Sequence, residues 1–263
     1  MIKFFRRIRF DLLEKNPPNG RAGKTGKPAL PAGRYLKYAI GEIFLVVIGI
    51  LLAIQINSWN QDRLSKKTEK VILNRLINDL EIDHLRLKKL ESVYQLELER
   101  NKDFSILIKK TSFSESELLK ISQFDGVSAR EINPRLTTYE EMINTGRIYN
   151  LSSESLVNEI IEYYRKLKDV ETDTSEDGNG YSAYWNSRDF IEFWHMKNVN
   201  GDLDEMKKIA EVLLKDKNGD NYKHLLNAVV RGQDIGIRLV RRNEDLKGKN
   251  INLRKNISTF LIQ

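Results

Sequence analysis

From Ile43 to Trp59 the chain carries no charged side chain, and its centre reads Ile43-Phe44-Leu45-Val46-Val47-Ile48-Gly49-Ile50-Leu51-Leu52-Ala53-Ile54. No other stretch restricts the fold so tightly. A helix over Tyr38–Ser58 would measure about 31 Å, close to the roughly 30 Å of a bilayer's hydrocarbon core. Eleven Ile, Leu, Val and Phe residues lie between Ile43 and Ile56. Each favours insertion by roughly 0.3–0.6 kcal/mol at central positions, a sum that outweighs Gln55 near one end. Tyr35 and Tyr38 at one boundary and Trp59 at the other suit the two headgroup levels. A transmembrane helix over 38–59 is therefore expected, rather than the core helix of a soluble protein.

The formal net charge of +7 suggests a nucleic-acid binder only until it is divided along the chain. Residues 1–37 hold ten Lys and Arg (among them Lys3, Arg6, Arg7 and Arg9) against Asp11 and Glu14. Of 44 basic and 37 acidic residues, 34 and 35 then remain for 38–263, a balance near zero. A nucleic-acid face needs clustered cations, and this body offers none in excess, so no nucleic-acid partner is expected. Cations ahead of an apolar segment hold that flank in the cytoplasm, which places 60–263 on the far side. Cleavage as a signal peptide is not expected, because the basic region is too long and Gln55-Ile56-Asn57-Ser58-Trp59 contains no small-x-small site.

Within the arm, residues 1–15 place Ile2, Phe5, Ile8 and Leu12 on one helical stripe with Lys3, Arg6, Arg7 and Arg9 around it. That pattern predicts a basic amphipathic helix on the headgroups of the lipid bilayer. Residues 16–37 contain four of the five prolines and read as a flexible linker.

Beyond the membrane segment, residues 60–263 predict an extracytoplasmic α-helical bundle with long first and last helices, packed antiparallel. From Trp59 to Lys110 there is neither Gly nor Pro, and Leu73, Leu76, Leu80, Leu87, Leu90 and Tyr94 approximate a heptad seam interrupted by Asp83. Ser114-Glu115-Ser116-Glu117 is a capping box, and Thr137-Thr138-Tyr139-Glu140 repeats the pattern, with Gly146 placed to stop that helix. Ser152 or Ser153 opens a helix over Leu156–Lys168. Aromatic-rich residues 181–195 and helices near 203–215 and 220–262 complete the set.

Several motifs fail on inspection. Gly20-Arg21-Ala22-Gly23-Lys24-Thr25 lacks the first glycine of a phosphate loop and any flanking strand. Asp173-Thr174-Ser175-Glu176-Asp177-Gly178 matches half of a calcium loop, but the twelfth position is Tyr184, where a bidentate Glu is needed. Asp216, Asn218 and Asp220 form a weaker echo, and both read as solvated turns. His84, His195 and His224 have no ligand spacing, and the chain has no Cys. No catalytic residue, metal site or cofactor is therefore assigned, and no enzymatic activity is expected. Two groupings remain. Tyr181, Trp185 and Trp194 belong to the densest aromatic cluster, either core or a ligand or partner pocket. Glu42, Val46, Gly49, Ala53 and Asn57 form one stripe of the membrane helix, with a small-xxx-small element suited to close helix approach.

The segments Tyr38-Ala39-Ile40-Gly41-Glu42-Ile43, Val46-Val47-Ile48-Gly49-Ile50 and Gln55-Ile56-Asn57-Ser58-Trp59-Asn60 resemble the membrane motif of an uncharacterised family of single-pass proteins from Bacteroidota-type bacteria. Thr138-Tyr139-Glu140-Glu141-Met142-Ile143-Asn144-Thr145-Gly146-Arg147 is similar to it as well. The resemblance implies a bacterial inner membrane with a periplasmic C-terminal domain, and it supplies no activity. The expected function is a membrane-anchored periplasmic interaction or scaffold module, self-associating or binding an envelope protein. The alternative is a ligand-sensing module that signals through a partner.

Overall fold

The computed structural model describes residues 32–197 and 202–262. The expected amphipathic helix over 1–15, with Lys3, Arg6, Arg7 and Arg9, lies outside the described residues, as do Gly20–Thr25 and most of the 16–37 linker. Among the described residues there are seven α-helices and no strand. They are α1 (Ala32–Leu107), α2 (Glu115–Ser122), α3 (Thr137–Asn144), α4 (Glu154–Trp185), α5 (Ile191–Lys197), α6 (Leu203–Lys215) and α7 (Asp220–Ile262). The all-α class and the long first and last helices are as the periodicity predicts. The chain forms two compact units, Met1–Asp62 and Arg63–Gln263.

In the first unit α1 carries the apolar run, and Ile43, Phe44, Leu45, Val46, Val47 and Ile48 are all exposed. The most apolar window of this helix has a mean hydropathy of 2.2, with none of it buried. By length and composition the helix is able to cross a membrane.

In the second unit α1, α4 and α7 are the long elements, and their apolar faces close over two cores. One gathers Leu73, Leu76, Leu80 and Leu87 of α1 with Ile160, Tyr163 and Leu167 of α4 and Leu246, Leu253 and Ile257 of α7. The other gathers Phe104 and Ile108 with α2, α6, the end of α4 and the start of α7. Full burial of each such aliphatic side chain contributes roughly 1.5–3 kcal/mol.

The α1–α7 pairing is antiparallel, and its register is written in polar atoms. Asn243 donates Nδ2 to the Leu87 carbonyl at 3.0 Å, and Asn250 donates to the Leu80 carbonyl at 3.0 Å. Moving seven residues forward along α7 moves seven back along α1. Both asparagines are buried, so a one-turn slip would leave their amides unpaired at a cost of about 1–3 kcal/mol each. At Gly232 and Gly236 the two helices approach further: a Cβ on Gly232 would lie 2.6 Å from Asn101 Nδ2, and one on Gly236 would lie 3.1 Å from Leu98 Cδ1. On the outer side α4 is tied to α7 by Asp177, which accepts from Arg238 (2.8 Å) and Arg242 (2.6 Å).

Three acids of α1 hold the 133–153 segment by its backbone. Asp83, wholly buried, accepts from the Arg135 amide at 2.9 Å. Asp79 accepts from the Thr138 amide at 3.2 Å, and Glu69 from the Ser152 amide at 2.8 Å. The expected break at Asp83 is thus a tether, and burial pushes its carboxyl above the ordinary value despite that amide.

The Ser114/Glu117 capping box forms with both reciprocal bonds, Ser153 caps α4 through the Leu156 amide at 3.2 Å, and Gly146 takes a left-handed φ of 68° beyond the end of α3. Two local expectations need correction. The start of α3 has no side-chain cap of its own, because Leu136 stands at that position and Asp79 supplies the acceptor instead. The expected turn at Asp173–Gly178 is absent, since α4 runs unbroken from Glu154 to Trp185. The carboxylates of Asp173 and Asp177 are engaged by arginines of α7, which stabilises helix where a calcium loop would need a turn.

Candidate functional site

Two glycines bring the 125–131 connection onto α4. Gly126 adopts a φ of +78°, and a Cβ there would meet the Tyr181 ring at 2.8 Å. At Gly178 a Cβ would meet the Ala129 Cβ at 3.0 Å. Only glycine permits both approaches without displacement. Between this connection, the last turns of α4 and Trp194 of α5 lies a cleft of about 470 Å³. It opens to solvent, and its lining is mostly polar.

The aromatic cluster forms one wall. Tyr181, Trp185, Phe190 and Phe193 are buried, and Trp194 is half-buried. Trp185 is the hub: Tyr181 lies parallel to it at 6.3 Å, while Phe124 (5.6 Å) and Phe193 (5.1 Å) meet it at steep interplanar angles. Trp194 donates Nε1 to the Trp185 carbonyl at 3.1 Å, which pins α5 to the end of α4. The Trp185 Nε1 is itself buried and makes no hydrogen bond. Tyr181, Trp185 and Trp194 are thus brought together by the fold, mostly as core, with one edge turned to the cleft.

The polar wall comes from two sources. On α4 and its C-cap, Ser175, Asn179, Ser182 and Asn186 line the cleft in one stripe. On the connection, Asp125, Ser128 and Glu131 face them. Among the described residues no Lys, Arg or His lines it. The α4 stripe has spacings of 4, 3 and 4, a legible helical signal, but only for a reader who carries the helix past Gly178 and Gly180. The sequence expectation ends that helix at Lys168, short of the stripe, whereas α4 continues to Trp185.

The other singled-out residues are not part of this cleft. Glu42, Val46, Gly49, Ala53 and Asn57 lie in the first unit, all exposed, with open space around Gly49. His84 is partly buried, and burial with the nearby Arg254 and Lys247 charges pushes its pKa down. His224 lies 3.6 Å from Asp189, and His195 is exposed. Asp216 accepts from the Asn218 amide at 3.0 Å in the turn that leads into α7. Among the described residues no group of His, Asp or Glu is arranged to hold a metal. A water-sized cavity of about 10 Å³ where the two cores meet, beside Glu171, Thr174 and Asn243, is too small for anything else.

No curated protein and no solved structure matches the chain. One family does, over residues 42–199, which take in the apolar run, α2, α3 and all of α4 with its aromatic end. That span exceeds half of the chain, and by it this protein belongs to the family of unknown function DUF6090.

Proposed function

We propose that this protein is a membrane-tethered interaction module, with its N-terminal arm in the cytoplasm, α1 crossing a bacterial inner membrane, and the helical unit from Arg63 onward in the periplasm. The observation that carries the reading is the uncovered apolar face of α1 from Ile43 to Ile56, in a chain whose other helical unit has closed cores of its own. Lipid is the natural cover for such a face. The basic arm on one flank sets the direction, and the resemblance to Bacteroidota-type membrane proteins supports the compartment. In this reading the Glu42–Asn57 stripe serves self-association or docking to an envelope protein, because Gly49 and Ala53 let a second helix approach closely. A reporter active only outside the cytoplasm, fused after Gln263, should be active, and cross-linking in membranes should capture a dimer or a partner that Gly49→Leu weakens. A cytoplasmic reporter signal would reverse the topology, and a monomer with nothing cross-linked would remove the scaffold role.

A second reading is favoured by the cleft. A pocket of this size with convergent polar groups suits a small ligand, so the periplasmic unit would act as a ligand-binding module that works through a partner.

A further inference from the structure

Helix α4 changes character along its length. Up to Val170 apolar burial holds it, with Ile160, Tyr163, Leu167 and Val170 in one core. Tyr181 and Trp185 at its end belong to the other core. Between them the chain reads Glu171-Thr172-Asp173-Thr174-Ser175-Glu176-Asp177-Gly178-Asn179-Gly180, and Thr174 alone of these ten is buried. The water-sized cavity lies at the start of the same stretch, against Val170, Glu171 and Thr174.

Local preference opposes a helix here. Glycine is the poorest helix former after proline, and Thr, Ser, Asp and Asn rank low because they lose rotamer freedom or compete for the backbone. Only Glu171 and Glu176 favour the state that the stretch adopts. A helix of such composition depends on tertiary contacts, and no large apolar side chain supplies them between Val170 and Tyr181. The contacts that do so are polar. Asp177 accepts from Arg238 at 2.8 Å and from Arg242 at 2.6 Å, and Asp173 lies 3.3 Å from Arg242. The Asp177 and Arg242 side chains are 18% and 19% exposed, so salt and water screen this pair weakly.

We infer that residues 171–180 are a joint within α4. The stretch unwinds locally while α1 and α7 remain paired, and Asp177 between Arg238 and Arg242 is the latch that holds it shut. Ser175, Gly178 and Asn179 line the cleft, so unwinding removes its α4 wall and closing the latch rebuilds it. The joint needs neither a membrane nor a ligand, and it stands apart from both readings of function above.

Native-state hydrogen exchange, followed by mass spectrometry on the full chain in lipid nanodiscs, reads the joint directly. Amides of 172–180 should exchange at least about tenfold faster than those of 157–170 and 243–253. Their rates should stay nearly flat in low urea, because a local opening exposes little surface. Asp177→Asn should speed exchange of 172–180 by a further factor of about ten, since the charged acceptor of two arginines is lost. Gly180→Ala, whose Cβ would meet nothing within 4 Å, should slow it about two- to fivefold. The chain has no cysteine, so Thr174→Cys gives a second reading: its thiol should be alkylated under native conditions, and faster when Asp177→Asn is added. Exchange of 172–180 at the rate and urea dependence of 157–170 would mean that α4 opens as one piece, and would overturn the joint. So would a Thr174→Cys thiol that resists alkylation until the whole unit unfolds. Local opening that is indifferent to Asp177→Asn would overturn the latch.

Discussion

Replacing helix glycines by alanine should change stability with a sign set by what each Cβ would meet. Within an open helix the exchange gains about 0.5–1 kcal/mol, because alanine has less backbone freedom to lose. Gly180 in α4 and Gly248 in α7 have nothing within 4 Å of the added atom, so both variants should be stabilised by that amount. Gly232 has the same intrinsic gain available, but its Cβ would lie 2.6 Å from Asn101 Nδ2, 3.0 Å from Tyr181 Oη and 3.1 Å from Val127 Cγ2. Asn101 is wholly buried and cannot swing into solvent, so the contact must be relieved by helix displacement. Overpacking of that kind costs about 1–3 kcal/mol, which outweighs the propensity gain. Gly232→Ala should therefore fall about 2 kcal/mol below Gly248→Ala. For a unit of this size that difference is about 4–8 °C in Tm. Thermal unfolding in nanodiscs, followed by far-ultraviolet circular dichroism, measures it. The double variant Gly232→Ala/Asn101→Ala should recover at least 1 kcal/mol, since the clashing amide is gone. If Gly232→Ala melts with Gly248→Ala, α7 is not seated against α1 at Asn101, and the close packing described for that end of the unit is wrong.

Asp83→Ala should cost about 2–3 kcal/mol in urea unfolding, because the Arg135 amide loses a charged acceptor that is itself wholly buried. Asn250→Ala should cost about 2 kcal/mol by the same assay, since the Tyr163 hydroxyl loses its partner at 3.0 Å and a void replaces the amide. The Glu117 carboxylate is held down to about 2 by Lys110 first and by the Ser114 amide next. Its contribution is therefore present above the unfolded carboxylate range and lost as pH falls towards 2, and Glu117→Gln should flatten the acid titration of α2 followed by NMR over that window. Asp83 acts with the opposite sign, because its pKa is raised by burial: its native proton affinity favours folding at low pH, and that contribution declines as pH rises through the folded value. Asp83→Asn should remove this opposing slope in an acid-to-neutral series of urea midpoints.

The bundle was legible where one helix face repeats without help from elsewhere. Leu73, Leu80 and Leu87 mark the buried line of α1 because period and burial coincide, and Ser114 with Glu117 marks a start because both partners lie within one turn. Local signals failed where the partner sits on another element. Thr137 and Glu140 have the spacing of a capping box, yet the acceptor for that helix start is Asp79, some sixty residues earlier in the chain. Asp173 and Asp177 resemble calcium ligands only while Arg238 and Arg242 are out of view. The cleft was half legible: the aromatic wall is a compositional cluster, but its polar wall requires knowing that Gly126 and Gly178 bring the connection and α4 together. Glycines inside a predicted helix suggest an end, and here they mark a close approach instead.

The seam between α1 and α7 joins these observations. A line of leucines alone would let two long helices slide by a heptad at little cost, because every register buries similar apolar area. Here the line on α7 is interrupted by Asn243 and Asn250, and the line on α1 by Asp83 and Asn101. Each asparagine of α7 donates to a carbonyl that has a second lone pair to offer, so the bond adds to the α1 ladder without breaking it. Asp83 lies between the two acceptor carbonyls in sequence and fixes the 133–135 segment to α1 at 2.9 Å. Gly232 and Gly236 then admit α1 most closely at the end where the cleft residue Tyr181 packs, so the seat of Tyr181 depends on the same register. A slip of one heptad would still set each asparagine opposite a backbone carbonyl, but it would drive side chains into the glycine positions, so the glycines discriminate where the asparagines repeat. The apolar positions make the helices associate, and the polar and glycine positions determine where.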